Sequence, residues 1–210
     1  DIFVVSIMPC TAKKFEASRP EMYSSGYRDV DVVLTARELG RMIRQAGLDF
    51  VHLPDEPFDA PMGQYTGAGT IFGATGGVME AALRTVYAVV TGKNLPSLDI
   101  TPVRGLEGVK EATVEVGKLG DVRVAVAHGL ANARKLMDKV SEGTADYQFI
   151  EIMCCPGGCV GGGGQSLPAS NEKRFLRAQA LYQDDKNVQE LRQSHENPAV
   201  KQLYETFLYE

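Results

Sequence analysis

The segment EIMCCPGGCVGGGG, residues 151–164, constrains the fold more than any other part of the chain. It holds three of the four cysteines among 210 residues and ends in four consecutive glycines. Adjacent cysteines such as Cys154 and Cys155 can bridge only through a strained ring, which disfavours a structural disulfide. Clustered thiols with so little side chain around them instead predict a metal site in a protein of a reducing compartment.

Apolar, β-branched runs alternate with amphipathic segments along the chain. The runs predict strands at 2–7, 30–35, 50–53, 98–103, 112–116, 122–127 and 147–153. The amphipathic segments predict helices from the Thr35/Glu38 capping box to about Ala46, from a Thr75 cap to Gly92, over 131–140, and from Lys173 onward with a break at Asn197-Pro198. Together these elements predict one α/β domain over 1–210, with a mixed, largely parallel β-sheet flanked by helices.

Two of the predicted strands lead directly into cysteines. IFVVSIMPC (2–10) and YQFIEIMCC (147–155) each end in Met-x-Cys or Met-Cys. Ligands of α/β sheets gather beyond the carboxyl ends of strands. If the two strands are neighbours, we expect Cys10, Cys155 and Cys159 to converge on one point.

The residue pattern leaves three interpretations of these cysteines open. An iron–sulfur cluster takes thiolates, and a glycine-rich loop leaves it space and exposed N–H donors. A zinc ion would need three cysteines and a histidine, but His52, His128 and His195 lack finger-like spacing to a cysteine. The cysteines could also be small buried apolar residues, which is the interpretation we favour for Cys154, where alanine would serve equally well.

Charge and hydropathy exclude several classes of partner. The net charge is -5 and the sequence pI is about 5.3, which argues against a surface that binds nucleic acid. No apolar run approaches the roughly 20 residues of a membrane span, and no signal peptide is recognisable. These features predict a cytoplasmic protein.

Two long motifs resemble the catalytic subunit of the [FeFe]-hydrogenases, the iron-only hydrogenases. MPCTAKKFE (8–16) resembles the second signature of that family, and EIMCCPGGCVGGGGQ (151–165) resembles the third. GAGTIFGATGGVMEAALR (67–84) and SHENPAV (194–200) are also similar to the family, so the resemblance covers nearly the whole chain. Two motifs of this length in the correct order are highly specific.

The chain departs from the family pattern in two places. Gln165-Ser166 replaces the usual Gln-Pro, and no Thr-Ser-Cys-Cys-Pro segment, the first signature, occurs in the sequence. The resemblance therefore implies that residues 1–210 form the C-terminal lobe of a two-lobed catalytic domain. It also implies that the N-terminal lobe supplies the missing cysteines, so that the isolated chain is inactive.

The resemblance implies a ligand role for each cysteine except Cys154. Cys10 and Cys155 would be terminal ligands of a [4Fe–4S] cluster. Cys159 would bridge that cluster to a di-iron subcluster with CO, cyanide and dithiolate ligands, which together form the H-cluster. Lys13 would interact with a cyanide, since a point cation suits a compact anion; the alternative for Lys13 is a solvated surface lysine.

The resemblance also implies roles for four residues around the di-iron subcluster. Met8, Met153 and Phe72 would line its pocket and exclude water, although each could simply pack in the core. Glu16 would belong to a proton path, although it could equally be an ordinary ion-pair partner. Glu151 is either a buried carboxylate that supports the site or part of the strand packing.

The implied function is reversible H2 oxidation and proton reduction by an anaerobic oxidoreductase. Electrons would be exchanged with ferredoxin or NAD(P)-linked partner subunits, and maturation enzymes would install the cofactor. The alternatives are a non-catalytic, hydrogenase-like iron–sulfur assembly factor or H2 sensor, and a zinc-binding structural module. Lys13, Met8 and Met153 favour the catalytic alternative, because a plain [4Fe–4S] carrier needs no partner for cyanide.

Overall fold

The computed structural model describes residues 2–59 and 62–208, which contain five strands and seven α-helices. The strands are β1 (Val5–Met8), β2 (Val32–Thr35), β3 (Val109–Glu115), β4 (Asp121–His128) and β5 (Phe149–Met153). The helices are α1 (Ala12–Glu16), α2 (Ala36–Gln45), α3 (Gly67–Thr70), α4 (Gly77–Thr91), α5 (Leu130–Ser141), α6 (Asn171–Asn187) and α7 (Pro198–Thr206). None of these helices is long and apolar enough to cross a membrane.

The strands form two sheets, so the mixed α/β class is confirmed but the prediction of one sheet is wrong. β1 and β2 pair in parallel, whereas β4 pairs antiparallel with β3 and parallel with β5. Two predicted strands are 3-10 turns instead, at Phe50–His52 and Thr101–Val103. Pro102 has no N–H to donate to a ladder, and Phe50 and Val51 are solvent-exposed, with no apolar face to bury.

β4 is the central strand of the larger sheet, and its two faces are covered by different helices. Val124 and Val126 pack with Met79 and Leu83 of α4. The alternate residues, Ala125 and Ala127, form a second buried cluster with Leu136 of α5. This arrangement follows from the two-residue period of a strand, because all four strand residues are completely buried. The core thus fixes α4 against the sheet that delivers β5 to the cysteine loop.

The predicted start of α2 is confirmed, including its capping box. Thr35 Oγ1 accepts a hydrogen bond from the Glu38 N–H, and Glu38 Oε2 accepts one from the Thr35 N–H. This bond from the Thr35 backbone, together with one from Lys14, lowers the pKa of Glu38 to about 2. β2 therefore enters α2 at a defined angle, directly beside the cysteine loop described below.

The predicted Thr75 cap of α4 is wrong. The helix begins at Gly77, after Gly76 in the left-handed region at φ 91°, and no cap side chain of its own bonds the first turn. Glu151 of β5 supplies the missing acceptor: its Oε1 accepts from Gly76 N (2.6 Å) and its Oε2 from Met79 N (2.7 Å). The buried carboxylate thus joins β5 to the start of α4. Glu151 therefore caps a helix, a role that differs from both alternatives given above.

A buried ion network attaches α6 to the rest of the fold. Arg84 of α4 is completely buried between Glu80 and Asp185, at 2.6 Å and 2.9 Å. Arg104 and Arg192 extend the network at its edge. Glu80, Asp99 and Asp185 place carboxylate oxygens close enough for a cation, but arginine guanidinium groups already neutralise them. The network therefore has a structural role.

Candidate metal centre

The loops that follow β1 and β5 meet, although their strands belong to different sheets. The expectation that the two strands are neighbours is therefore wrong. The contact is made by glycines: Gly164 N donates a hydrogen bond to the carbonyl oxygen of Pro9, at 3.0 Å. A Cβ added at Gly162 would lie 2.0 Å from the same oxygen. Only a glycine allows the loop to pass this close to the residue before Cys10.

The thiols of this contact region influence one another electrostatically. Burial raises the pKa of Cys155, and the charges of Cys154, Cys10 and Cys159 raise it further. Burial also raises the pKa of Cys159; Cys10 adds to this shift, whereas the ammonium of Lys13 opposes it. All four cysteines are free. The fold thus gathers Cys10, Cys155, Cys159 and Lys13 in one region.

The cysteine thiols of the described residues do not have the close spacing of a single-ion site. Zn–S bonds of about 2.3 Å in a tetrahedral site place sulfurs about 3.8 Å apart. Within the described residues, the group whose ligand atoms all lie within 4.8 Å of one another consists of Glu80, Asp99 and Asp185, not of the cysteines. The described thiols therefore do not match the spacing of a closed zinc site.

Two glycines before Cys159 shape the turn that presents it. Gly157 and Gly158 have φ of 81° and 91°, the left-handed region that glycine adopts without strain. A Cβ at Gly158 would also lie 2.6 Å from Thr75 N and 2.9 Å from the Met153 sulfur. Thr75 N in turn donates to Gly157 O at 3.0 Å. The turn is thus packed against the segment that precedes α4.

The remaining predicted residues lie around the same loops. Met8, Lys13 and Glu16 line a cavity of about 160 Å³ beside β1. Met153, at the end of β5, lies against the Gly158 turn, as noted above. Phe72 lies in the 3-10 turn Ile71–Gly73, which packs against the turn containing Cys159, and its ring is half exposed.

Lys13 and Lys14 are adjacent in α1 but pair with different carboxylates. Lys13 Nζ forms an ion pair with Glu16 at 2.7 Å, and both side chains are less than half exposed. Lys14 Nζ instead pairs with Glu38 at 2.9 Å and donates to Val33 O. The charge of Lys13 opposes the rise in the pKa of Cys159, whereas Lys14 is held by Glu38 and Val33 O. The structure therefore distinguishes the two adjacent lysines by their partners, Glu16 for Lys13 and Glu38 for Lys14.

Sequence reasoning missed two residues that support the centre. Arg37 donates from its backbone to Gly164 O and from its side chain to Gln165 O, which holds the end of the glycine loop against α2. Lys110 is buried behind the Gly157 turn. A signal for Lys110 was available, because strand alternation places it on the same face as Ala112 and Val114, which pack against the core.

The contact at Gly162 leads to a first prediction. Gly162→Ala is expected to destabilise the fold by about 1–3 kcal/mol and to lower the iron bound per chain, because its Cβ overlaps Pro9 while its φ of -61° is allowed for alanine. Gly40→Ala in α2 is the control, since a Cβ there meets nothing within 4 Å. Urea unfolding and iron analysis measure both effects. Equal behaviour of the two variants would contradict the steric argument.

Family models cover almost the whole chain. Residues 1–163 match the model described as "Iron only hydrogenase large subunit, C-terminal domain", and residues 171–210 match "Iron hydrogenase small subunit".

Among curated relatives, the chain is 50% identical over 208 residues to the NADP-reducing hydrogenase subunit HndD of Solidesulfovibrio fructosivorans, covering 99% of this chain and 35% of that protein. It is 58% identical over 166 residues to the periplasmic [Fe] hydrogenase large subunit of Nitratidesulfovibrio vulgaris, covering 79% and 39%. More distant relatives include the cytosolic Fe-S cluster assembly factor narfl of Xenopus tropicalis, 32% identical over 214 residues, with 99% and 44% covered. The chain thus spans less than half the length of each of these relatives.

A solved structure of [FeFe]-hydrogenase HydA1 from Chlamydomonas reinhardtii superposes with a TM-score of 0.79 at 42% sequence identity. The superposition covers 100% of this chain and 60% of that one.

Proposed function

Because the chain belongs to the iron-only hydrogenase large-subunit family, we propose that it forms the C-terminal lobe of a catalytic domain that interconverts protons and electrons with H2. The observation that carries this proposal is the meeting of the two cysteine loops, with Lys13 beside Cys159. When bound, the H-cluster supplies the redox chemistry, and the protein supplies ligands, a dry pocket and fixed charges.

The cysteines are the proposed ligands. Cys10 and Cys155 would hold the [4Fe–4S] cluster, and Cys159 would supply the thiolate shared with the di-iron subcluster. The left-handed glycines before Cys159 place no side chain directly before it in the turn, which would leave room for a thiolate shared by two metal groups. The fourth thiolate comes from the N-terminal lobe that completes the domain.

The residues around Cys159 have positioning and protective roles in this proposal. Lys13 offers its ammonium to a cyanide of the di-iron subcluster. Met8, Met153 and Phe72 exclude water from that side of the site. Glu16, which pairs with Lys13, holds and passes protons at its carboxylate.

Electron exchange requires partners beyond this chain. We propose ferredoxin or NAD(P)-linked subunits as carriers, since one relative is named as a subunit of an NADP-reducing hydrogenase. The match of 171–210 to the small-subunit model suggests that this segment takes the place of a separate small subunit. Maturation enzymes install the di-iron subcluster. A cytoplasmic location is also a proposal, and one relative is named as periplasmic.

The second candidate is a non-catalytic iron–sulfur assembly factor or H2 sensor. The 32% identity to a cytosolic Fe-S cluster assembly factor favours it, because 99% of this chain aligns with that protein, as it does with the hydrogenase subunit HndD. The two candidates differ in cofactor: an assembly factor would carry iron and sulfide without CO or cyanide. Infrared spectra of protein matured with the family's maturation enzymes distinguish them.

The test of the proposal is H2 evolution with a reduced dye. Residues 1–210 are expressed together with the family's maturation enzymes, both alone and joined to an N-terminal lobe that carries Thr-Ser-Cys-Cys-Pro. We expect CO and cyanide bands and turnover only in the joined protein, because the isolated chain has three of the four ligands. Iron and sulfide without these bands in the joined protein would favour the assembly factor, and zinc without sulfide would favour the structural module.

Lys13 provides a prediction within this function. Lys13→Met in the joined protein is expected to lose the di-iron subcluster, seen as lost CO and cyanide bands and lost H2 evolution, while the [4Fe–4S] cluster is retained. Lys14→Met removes the same charge one residue away, where the ammonium pairs with Glu38, and should retain both clusters. An unchanged infrared spectrum in Lys13→Met would overturn the assigned role.

A further inference from the structure

Lys110 is a buried cation without a carboxylate in direct contact. Its side chain is 4% exposed at the start of β3. Its Nζ donates to Thr75 O at 3.1 Å, to Thr75 Oγ1 at 3.4 Å and to Gly105 O at 3.0 Å, all of them neutral acceptors. None of the described carboxylates forms an ion pair with it. A buried ammonium in such surroundings is costly unless a negative charge lies nearby.

Two carboxylates, Glu107 and Glu151, act electrostatically on Lys110, but neither neutralises its charge by direct contact. Glu107, which precedes β3, is exposed to solvent. Glu151 of β5 is buried, but its two oxygens accept hydrogen bonds from the start of α4. Burial accordingly lowers the pKa of Lys110 to about 8, although both carboxylates oppose the shift. The ammonium is still protonated at pH 7.

Short hydrogen-bonded steps connect Lys110 to the cysteine loop. Lys110 binds the carbonyl of Thr75, and the N–H of Thr75 binds the carbonyl of Gly157, midway between Cys155 and Cys159. Glu151 provides a second connection, since its charge acts on both Cys159 and Lys110. The Lys110 ammonium is therefore connected through a single residue, Thr75, to the turn that presents Cys159.

We propose that Lys110 is a positioning residue whose buried charge compensates the negative charge of the cluster on the cysteine loop and thereby raises its reduction potential. This inference rests on the proposed function, because it requires a [4Fe–4S] cluster on Cys10, Cys155 and Cys159. Reduction adds an electron to the cluster, and a fixed cation in a region of low dielectric constant stabilises the added charge. Thr75 and Gly105 hold the cation in place.

The experiment is a redox titration of the [4Fe–4S] cluster, followed by electron paramagnetic resonance at pH 7, in the joined catalytic domain. Lys110→Met and Lys110→Gln remove the charge, and the glutamine still provides an N–H donor if the methionine variant does not fold. Lys110→Arg retains the charge. Lys118→Met, at an exposed position in the turn after β3, removes the same charge where solvent screens it.

We expect the neutral variants to titrate at more negative potential. At the wild-type midpoint, the ratio of reduced to oxidised cluster should fall about tenfold, which corresponds to about 59 mV for a one-electron couple. Lys110→Arg and Lys118→Met should retain the wild-type midpoint. Neutral variants that fold but do not retain the cluster, while the arginine variant retains it, would also support charge compensation.

Two outcomes would overturn the inference. One is a wild-type midpoint in the neutral variants. The other is an equal shift in Lys110→Arg or Lys118→Met, which would assign the effect to local packing or to overall charge. Failure of the proposed function looks different, because the wild-type protein itself would then show iron and acid-labile sulfide without CO and cyanide bands, or would lack iron and sulfide altogether.

Discussion

Replacement of Cys159 or Cys155 by serine is expected to abolish retention of the cluster in the joined catalytic domain. Both cysteines lie in the loop that meets Pro9. Each replacement therefore removes one thiolate from a set that the fold brings together. Iron and acid-labile sulfide per chain should fall at least about tenfold, since even residues that only support a ligand typically change metal affinity by that factor. H2 evolution should fall with them.

Cys154→Ser is the matched control for these variants. Cys154 adjoins Cys155 in the chain, and neither the residue pattern nor the family resemblance assigns it a ligand role. Its side chain is exposed, so the interpretation of Cys154 as a small buried residue is wrong. The control should therefore retain iron, sulfide and turnover. Loss of the cluster in Cys154→Ser with retention in Cys155→Ser would exchange the roles of the two neighbours.

The second large effect is expected from Arg84→Met. Arg84 donates to Glu80, Asp185, Leu98 O and Arg192 O, and its removal leaves two completely buried carboxylates without their central cation. Breaking such a buried network by removing one partner typically costs about 3–5 kcal/mol. Urea unfolding should show this loss in the free energy of unfolding. Arg134→Met breaks an exposed pair with Asp138 instead and should cost about 0.3–0.5 kcal/mol.

The same network predicts the acid dependence of stability. Burial alone would raise the pKa of Asp99, but hydrogen bonds from Arg192 and Lys186 and the charges of Arg104 and Arg192 lower it to about 2. The pKa of Asp185 is also lowered. Carboxylates with a depressed pKa stabilise the fold above their unfolded pKa of about 3.9, and this contribution is lost as the pH falls toward 2. Arg84→Met should weaken this dependence, and an unchanged acid profile would contradict the assignment.

Arg84 also connects the two parts of the chain that match different family models. It lies within 1–163, matched by the large-subunit model, whereas Asp185 lies within 171–210, matched by the small-subunit model. Gly67 allows the close approach, because a Cβ there would lie 2.0 Å from Asp185 Oδ1. The buried network is therefore one of the contacts that attach the C-terminal segment to the cysteine-bearing fold, together with the bonds of Asp184 to Thr70 and of Arg177 to Val160 O.

Local sequence patterns were sufficient where short-range physics decides the structure. The capping box of α2 was predictable because Thr35 and Glu38 bond each other's backbone within one turn. The strand that ends at Met153 and the start of α7 at Pro198 were predictable for the same reason. The prediction of helix up to the break at Asn197-Pro198 is wrong, because α6 already ends at Asn187. The cysteine and glycine motifs indicated the chemistry of the site, since few uses of clustered thiols tolerate so many glycines.

Other elements depended on partners distant in the chain. The run 98–103 has the composition of a strand, yet Ile100 and Val103 are buried through a 3-10 turn against Met79 and Leu83 of α4, where Pro102 needs no ladder partner. The cap of α4 comes from Glu151, 75 positions after Gly76, so no window around the helix contains its acceptor.

The sequence by itself determined the identities of the thiols, the glycines that surround them, and the α/β class, because these follow from residue types and short periodicities. Only the tertiary structure decided that β1 and β5 belong to separate sheets whose loops meet at Pro9 and Gly164. It also decided that Lys14 pairs with Glu38 while Lys13 pairs with Glu16, and that Lys110 is buried and bonded to Thr75, whose N–H binds Gly157 O. The physical reason is that burial and charge proximity depend on how separate segments pack, which no local pattern encodes.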